Sequence, residues 1–331
     1  MVQEAITLKS GKINEYLHHI DLKAYGTTRM LSIYLAEFDN CSILFDCGSS
    51  LDYKRAIKYL KKNKIPLSSI KYLITSHHHF DHNGGLHLLY AELKRDNPQL
   101  KILTNIKTKE LLNSYSEHLN RAKRTYGSLV GKMAPIEDSA FEIIEPSNNF
   151  NSNPKKLDSF ETFNINGEEI KLSILNTPGH TPDHQSPVIV KNDQIDFIFL
   201  GEAVGTIYHG SKLVTMPTSM PVYYNHADYM NTLENLKKFY PLKAGYGHFG
   251  VINGKNNVRE ILLEHEIFLK EFRSRIIQYY EEKSETRYVL EKILPLLVPR
   301  TDLTLENNSI FNGIALGIVY GMMVDLGYRK S

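Results

Sequence analysis

The chain of 331 residues is long enough for one large domain or two, with a sizeable core. Its 42% hydrophobic and 23% charged residues are those of an ordinary globular protein, and a net charge of +2 gives no global pull toward nucleic acid or an anionic membrane. Two cysteines, Cys41 and Cys47, beside or within one apolar strand pattern, build neither a disulfide framework nor a zinc ribbon. Such sparse usage fits a reducing cytosol. Met1 to Ala5 show no basic region followed by an apolar stretch, so no export leader is expected. No run reaches the roughly 20 apolar residues of a membrane helix. A cytoplasmic protein without membrane or nucleic-acid partners is the expectation.

Residues from about Ala5 to Asp46 read as strands. Met30 to Phe38 is rich in strand formers, Asp39-Asn40 is a turn signal, and Ser42 to Gly48 runs into a small-residue loop. Asp52 to Asn63 has Ala56, Ile57 and Leu60 on one helical face, with Lys54, Arg55, Lys58, Lys61 and Lys62 around it. No aromatic platform is interleaved with these cations, so they read as a solvated face. Ser69 to Thr75 then leads into Ser76-His77-His78-His79-Phe80-Asp81-His82-Asn83-Gly84-Gly85. Imidazole and carboxylate together suit zinc, iron or manganese, whereas an all-oxygen set suits calcium or magnesium. Alternate residues of an extended segment face the same way, so His77 and His79 can grip one metal. Asp81 and His82, further round the turn, can reach a second. A surface tract or a tag is the other source of such a run. A tag belongs at a terminus, and this run is internal.

His77-x-His79-x-Asp81-His82 after the apolar Tyr72-Leu73-Ile74 resembles the signature of the metallo-β-lactamase superfamily of hydrolases. The resemblance implies an α/β fold, a four-layer αββα sandwich with metals at one edge. It makes Asp46 a residue that orients ligands from behind; a strand-ending aspartate capping a turn is the other reading. Further along, Leu86 to Leu93 reads as helix, Lys101 to Thr104 as strand, and Thr108 to Leu129 as one helix carrying Arg121, Lys123 and Arg124. A polar loop follows from Pro146 to Pro154. Relatives often place such an insertion, here about 106–160, over the metal cleft, and its cations would then meet an anionic part of the substrate. A plain solvated helix is the alternative.

Strands resume near Glu161, with hairpin chemistry at Asn166-Gly167. Leu172 to Leu175 ends in Thr177-Pro178-Gly179-His180-Thr181-Pro182, which resembles the motif that completes a three-histidine site. His180 thereby joins His77 and His79. Ile195 to Leu200 ends at Gly201-Glu202, where the superfamily usually has a bridging aspartate; the longer glutamate leaves open whether Glu202 bridges. Gly247-His248 supplies the last expected ligand. The implied set is His77, His79 and His180 on one metal, Asp81, His82 and His248 on the other, and Glu202 between. From about residue 252 the pattern becomes helical. Val258 to Glu282 carries one apolar stripe, and Arg287 to Leu297 and Phe311 to Leu326 follow. Gly313, Gly317 and Gly321 at four-residue spacing allow tight packing of the last helix. The expected organisation is a catalytic domain over 1–251 and a helical C-terminal region over 252–331, which shapes the cleft or pairs subunits into a homodimer.

The implied chemistry is hydrolysis of a small molecule by a hydroxide shared between two divalent ions, zinc foremost and iron or manganese admitted. Asp81 would both ligate and align the nucleophile. His184 reads as a core histidine or a neighbour of the ligands, and Tyr223, Tyr224 and Tyr246 as oxyanion donors or structural tyrosines. Thr177 to Ser186 is most similar to the glyoxalase II and acyl-homoserine lactonase branches, which favours thioesters and lactones and leaves phosphodiesters open. No glutathione-binding tail or RNA-processing insert is apparent. Two other classes stay open: a diiron protein reducing oxygen or nitric oxide, and a metal-binding regulatory protein with little turnover. The first usually has glutamate where this chain has His79.

Overall fold

The computed structural model describes residues 5–303 and 308–330. Residues 1–4, on which the reading of no leader rests, and 304–307 and 331 of the C-terminal region lie outside the described residues. The chain enters through β1 (Ile6–Thr7), β2 (Gly11–Lys12), β3 (Leu17–Asp21), β4 (Ser32–Glu37) and β5 (Ser42–Phe45). It continues through α1 (Tyr53–Lys62), β6 (Ile70–Ile74), the short α2 (Phe80–Asn83), α3 (Leu86–Leu93) and β7 (Lys101–Thr104). The insertion comprises α4 (Ile106–Asn113) and α5 (Ser116–Tyr126), after which β8 (Phe141–Ile143) closes the first sheet. β2 to β8 pair in sequence order, antiparallel up to β5 and parallel from there. The second sheet is β9 (Glu161–Ile165), β10 (Glu168–Asn176), β11 (Gln185–Lys191), β12 (Gln194–Gly201), β13 (Lys243–Tyr246) and β14 (Gly250–Asn253), with β1 on its far edge.

Alternation within the strands separates the layers. In β4, β5 and β6, Tyr34, Phe45, Tyr72 and Ile74 turn inward and share a core with Leu172, Ile174, Phe197 and Phe199 of the second sheet. Their neighbours Ile33, Leu35, Leu44 and Leu73 turn outward to Ala56, Ile57 and Leu60 of α1 and Leu86, Leu89 and Leu93 of α3. The second sheet turns Val188, Ile198 and Leu200 outward to Leu233 and Leu236 of α6 (His226–Leu236) and to Val258, Ile261 and Leu262 of α7 (Lys255–Glu282). Two sheets packed face to face with helices outside both make the expected αββα sandwich. Tyr34 also stitches the sheets where the second one ends, its hydroxyl donating to the Tyr246 and Gly250 carbonyls at 2.9 and 2.8 Å.

The single helix expected over Thr108 to Leu129 is two helices. Asn113 donates to the Ile136 carbonyl and accepts from the Ile136 N–H, at 3.1 and 2.9 Å. That side chain pins the end of α4 to the returning chain, so the helix stops and α5 leaves in a new direction. Beyond α7, α8 (Thr286–Leu297) and α9 (Asn308–Asp325) complete the C-terminal region. The stripe Ile261, Leu262, His265, Phe268, Phe272 and Ile276 is buried as its spacing predicts. α9 lies against α5 and against the loop 218–221. A Cβ on Gly313 would come within 3.1 Å of Tyr126, one on Gly317 within 2.8 Å of the Met220 sulfur, and one on Gly321 within 1.9 Å of the Ser219 carbonyl. The glycine spacing thus serves close approach to the chain's own roof loop. No helix among the described residues is long and apolar enough to cross a membrane.

Candidate metal centre

The loop after β6 carries four candidate donors, and a buried carboxylate beneath holds it in shape. Asp46 takes a left-handed conformation at φ 60°. Its Oδ1 accepts from the Ser76 N–H at 2.7 Å and from Asn83 Nδ2 at 2.8 Å, and its Oδ2 accepts from Ser76 Oγ at 2.7 Å. His82 Nδ1 lies 3.2 Å from the same Oδ2. Asp46 thus supports the donor loop from behind, its carboxylate turned to Ser76, His82 and Asn83. His79 ends the extended stretch as the N-cap of α2, so Asp81 and His82 project from the first helical turn beyond it.

The second sheet brings its donors from three strand ends. His180 follows β10, Glu202 follows β12, and His248 lies in the turn between β13 and β14. His180 Nδ1 donates to the Thr218 carbonyl and His248 Nδ1 to the Met30 carbonyl, both at 2.6 Å. His77 Nδ1 bonds Ser76 Oγ at 2.9 Å. In each of these rings the Nδ1 bond leaves Nε2 as the atom turned to the centre.

All seven residues named by the sequence meet there. Glu202 Oε2 lies 2.9 Å from His180 Nε2, 3.3 Å from His82 Nε2, 3.5 Å from His77 Nε2 and 4.0 Å from His79 Nδ1. Its Oε1 lies 3.7 Å from His248 Nε2, which is equally 3.7 Å from Asp81 Oδ2. The donors fall into two sets, His77, His79, His180 and Glu202, and Asp81, His82 and His248, each with its ligand atoms within 4.8 Å of one another. His77 Nε2 and His82 Nε2 are buried without a hydrogen-bond partner, a cost that a bound cation removes. Burial, with the neighbouring imidazoles, pushes His77 well below the usual histidine range and His79 to about 4. Both are therefore neutral, the form that ligates metal. Burial opposes ionisation of Glu202 as well, but His180 and the other imidazoles hold its carboxyl well below the usual range. Imidazole nitrogens with two carboxylates suit borderline divalent cations, so the residues fit divalent metal.

A third set, His78, His79 and His118, is similarly close, but His79 and His118 are committed elsewhere, while His78 keeps a buried Nε2 without a hydrogen-bond partner. His78 Nδ1 bonds Asp183 at 2.9 Å, His118 Nε2 accepts from the Phe80 N–H at 3.2 Å, and His79 already turns its Nδ1 to Glu202.

The sequence profile of the metallo-β-lactamase superfamily matches residues 26–248. The chain belongs to this superfamily. Solved structures agree in fold. An archaeal metallo-β-lactamase superfamily protein from Sulfolobus tokodaii is 22% identical, with a TM-score of 0.57 over 78% of this chain and 86% of its own. A subclass B3 metallo-β-lactamase from a soil metagenome library is 16% identical, TM-score 0.54, over 81% and 96%. A B3 metallo-β-lactamase described as the first with an active-site glutamic acid is 13% identical, TM-score 0.52, over 81% and 91%. No curated protein sequence is a significant match. Superfamily membership and the donor clusters together make the chain a hydrolase that depends on divalent metal ions.

The donors lie at the foot of a cleft roofed by α5, α9 and the loop before α6. Of the three tyrosines singled out in the sequence, Tyr223 lines the cleft. Tyr224 turns to His226 at 3.1 Å, and Tyr246 is buried behind the second sheet. His184 is a core residue that positions Glu202. Its Nδ1 bonds Thr177 Oγ1 at 2.8 Å, and its Nε2 accepts the Glu202 N–H at 3.2 Å. Of the insertion's cations, Arg121 reaches the cleft wall and is paired with Glu117, while Lys123 and Arg124 face solvent. Sequence reasoning missed Tyr208, whose ring centroid lies 5.4 Å from that of His248 in the cleft, and Thr218 and Met30, which act through backbone carbonyls. A carbonyl acceptor leaves no mark in a sequence.

Proposed function

We propose that the protein hydrolyses an ester-like bond at a pair of divalent metals, thioesters and lactones ahead of phosphodiesters, with zinc the foremost metal. The observation that carries this reading is the position of Glu202, whose Oε2 is within 4.0 Å of ring nitrogens from both donor sets. His77, His79 and His180 would hold one ion, Asp81, His82 and His248 the other, and Glu202 would lie between them. When bound, such ions acidify water and polarise the oxygen that gathers charge. The chain's own residues do the rest. Asp81, the most exposed of the seven donors, fronts the cleft and accepts a hydrogen bond from the attacking water. Burial pushes the Tyr208 and Tyr223 phenols above their usual range, so both remain neutral donors for a developing oxyanion. The Thr218 and Met30 carbonyls keep His180 and His248 aimed inward.

Elemental analysis of protein purified without added metal tests this, followed by assay on thioesters, lactones and phosphodiesters. About two zinc or manganese ions per chain with thioester or lactone turnover is the expected result. Two irons with oxygen consumption and no hydrolysis would overturn it, as would a protein that takes up no metal on reconstitution.

A further inference from the structure

The cleft above the donors is lined in a way that bears on the part of the substrate that does not react. An aromatic wall runs outward from the metal centre. His79 stacks on His118 with centroids 5.1 Å apart, and His118 and then Tyr126 each lie 6.1 Å from Phe80. Tyr126 stacks on Tyr25 at 6.1 Å. Next to it the lining is aliphatic, made by Ile314 and Gly317 of α9 with Met220 and Val222 of the roof loop. About 130 Å³ of the cleft is open to the centre of a water-sized sphere. The charged residues among its lining are Asp81 and Glu202 at the foot and Arg121 at the side. The Arg121 guanidinium is paired with the exposed Glu117, one helical turn earlier. Beyond the reacting centre, then, the lining among the described residues holds one cation, itself paired, and is mostly apolar, broken by tyrosine and threonine hydroxyls.

We infer that the substrate is a carboxylic ester, thioester or lactone whose acyl part is neutral and apolar, and that this part lodges against the apolar side chains that line this cleft. The inference rests on the hydrolase reading and deepens it. It sets aside substrates whose remote part is polyanionic, nucleic acids among them. Gly317 is one of the lining residues, and a larger side chain there meets the Met220 sulfur and narrows the space the acyl group would fill.

The test is a chain-length series on the metal-loaded protein, p-nitrophenyl thioesters from acetyl to decanoyl with the anionic succinyl thioester as control. Octanamide, which resists hydrolysis, is titrated calorimetrically alongside. The expected result is a rise in kcat/KM of about fourfold per methylene until the chamber is full, with the succinyl thioester roughly a hundredfold below its neutral counterpart. Octanamide binds, and acetamide does not. Gly317→Leu lowers the octanoyl-to-acetyl ratio of kcat/KM by roughly tenfold. A flat series, or preference for succinyl, overturns the inference and leaves the hydrolase standing. Octanamide binding without turnover of any ester upholds the chamber and sinks the hydrolase. Absence of both binding and chain-length dependence overturns the inference whatever the Gly317 variant does.

Discussion

The two sheets deliver their donors by different means. The first places His77, His79, Asp81 and His82 on one stretch after β6, and a single carboxylate, Asp46, secures the loop from below. The second supplies His180, Glu202 and His248 from three strand ends, and partners remote in sequence aim them. His180 is held by a carbonyl 38 residues on, His248 by one 218 residues back. The roof loop carrying the first of these carbonyls is itself clamped: Thr218 Oγ1 donates to the Glu202 carbonyl at 2.9 Å, and Ser219 Oγ donates to the Ile318 carbonyl of α9 at 2.7 Å. One half of the centre is organised locally, the other by tertiary structure. Damage to the first should be confined to the loop, and damage to the second should travel.

Removing a donor should erase this difference. His77→Ala or His180→Ala is expected to lose about one ion per chain and roughly a thousandfold in kcat/KM, by elemental analysis and steady-state kinetics. Asp46→Asn isolates the local half. It keeps the shape, removes the charge that gathers four donors, and should weaken metal affinity by about 10- to 100-fold with a small change in Tm. Retention of full affinity would show that the loop holds itself. Gly321→Ala attacks the remote half. The new methyl meets the Ser219 carbonyl, a backbone atom that cannot turn aside, so a loss of about 1–3 kcal/mol in stability is expected. Metal release should quicken in the same variant, measured with a chromophoric chelator; unchanged release would uncouple α9 from His180.

The smallest effect is a pH dependence. His265 of α7 bonds Tyr229 Oη at 2.9 Å and Thr215 Oγ1 at 2.8 Å, and Tyr229 Oη lies 3.1 Å from Thr218 Oγ1. Burial, aided by Arg300, lowers His265 to about 3. The folded protein therefore keeps it neutral while the unfolded chain takes up a proton near pH 6.5. The stability it allows is complete above pH 6.5 and is lost as the pH falls toward 3. Between pH 7 and 5 the loss is about 2 kcal/mol. His265→Gln should flatten that part of the calorimetric Tm profile against pH.

The same division explains how much could be read in the sequence. His77 to His82 was legible because ligand types crowd one stretch after an apolar strand. His180, Glu202 and His248 were legible because each follows a strand through a small-residue turn in a recurring word. The layered fold was implied by the resemblance these motifs carry, and strand alternation and helix stripes fit within it. The rest lay in relations no local pattern carries. The Thr218 and Met30 carbonyls have no side-chain signature, Asn113 ends α4 by reaching Ile136, and Tyr208 comes beside His248 through the fold alone. Gly313, Gly317 and Gly321 announced close packing but not that the packed surface would be the roof of the cleft.

The clamp from Ser219 to Ile318 also sets an order of events during synthesis. The two residues are 99 apart, and ribosomes add roughly 5–20 residues per second. For about 5–20 seconds after Ser219 is made, the loop that aims His180 has its bond to the Glu202 carbonyl but lacks the clamp from α9. Both sheets can assemble in that interval, because their strands end at Asn253. The roof over the second half of the metal centre is complete only when α9 has emerged and docked, so the finished centre is a late product in the making of the chain.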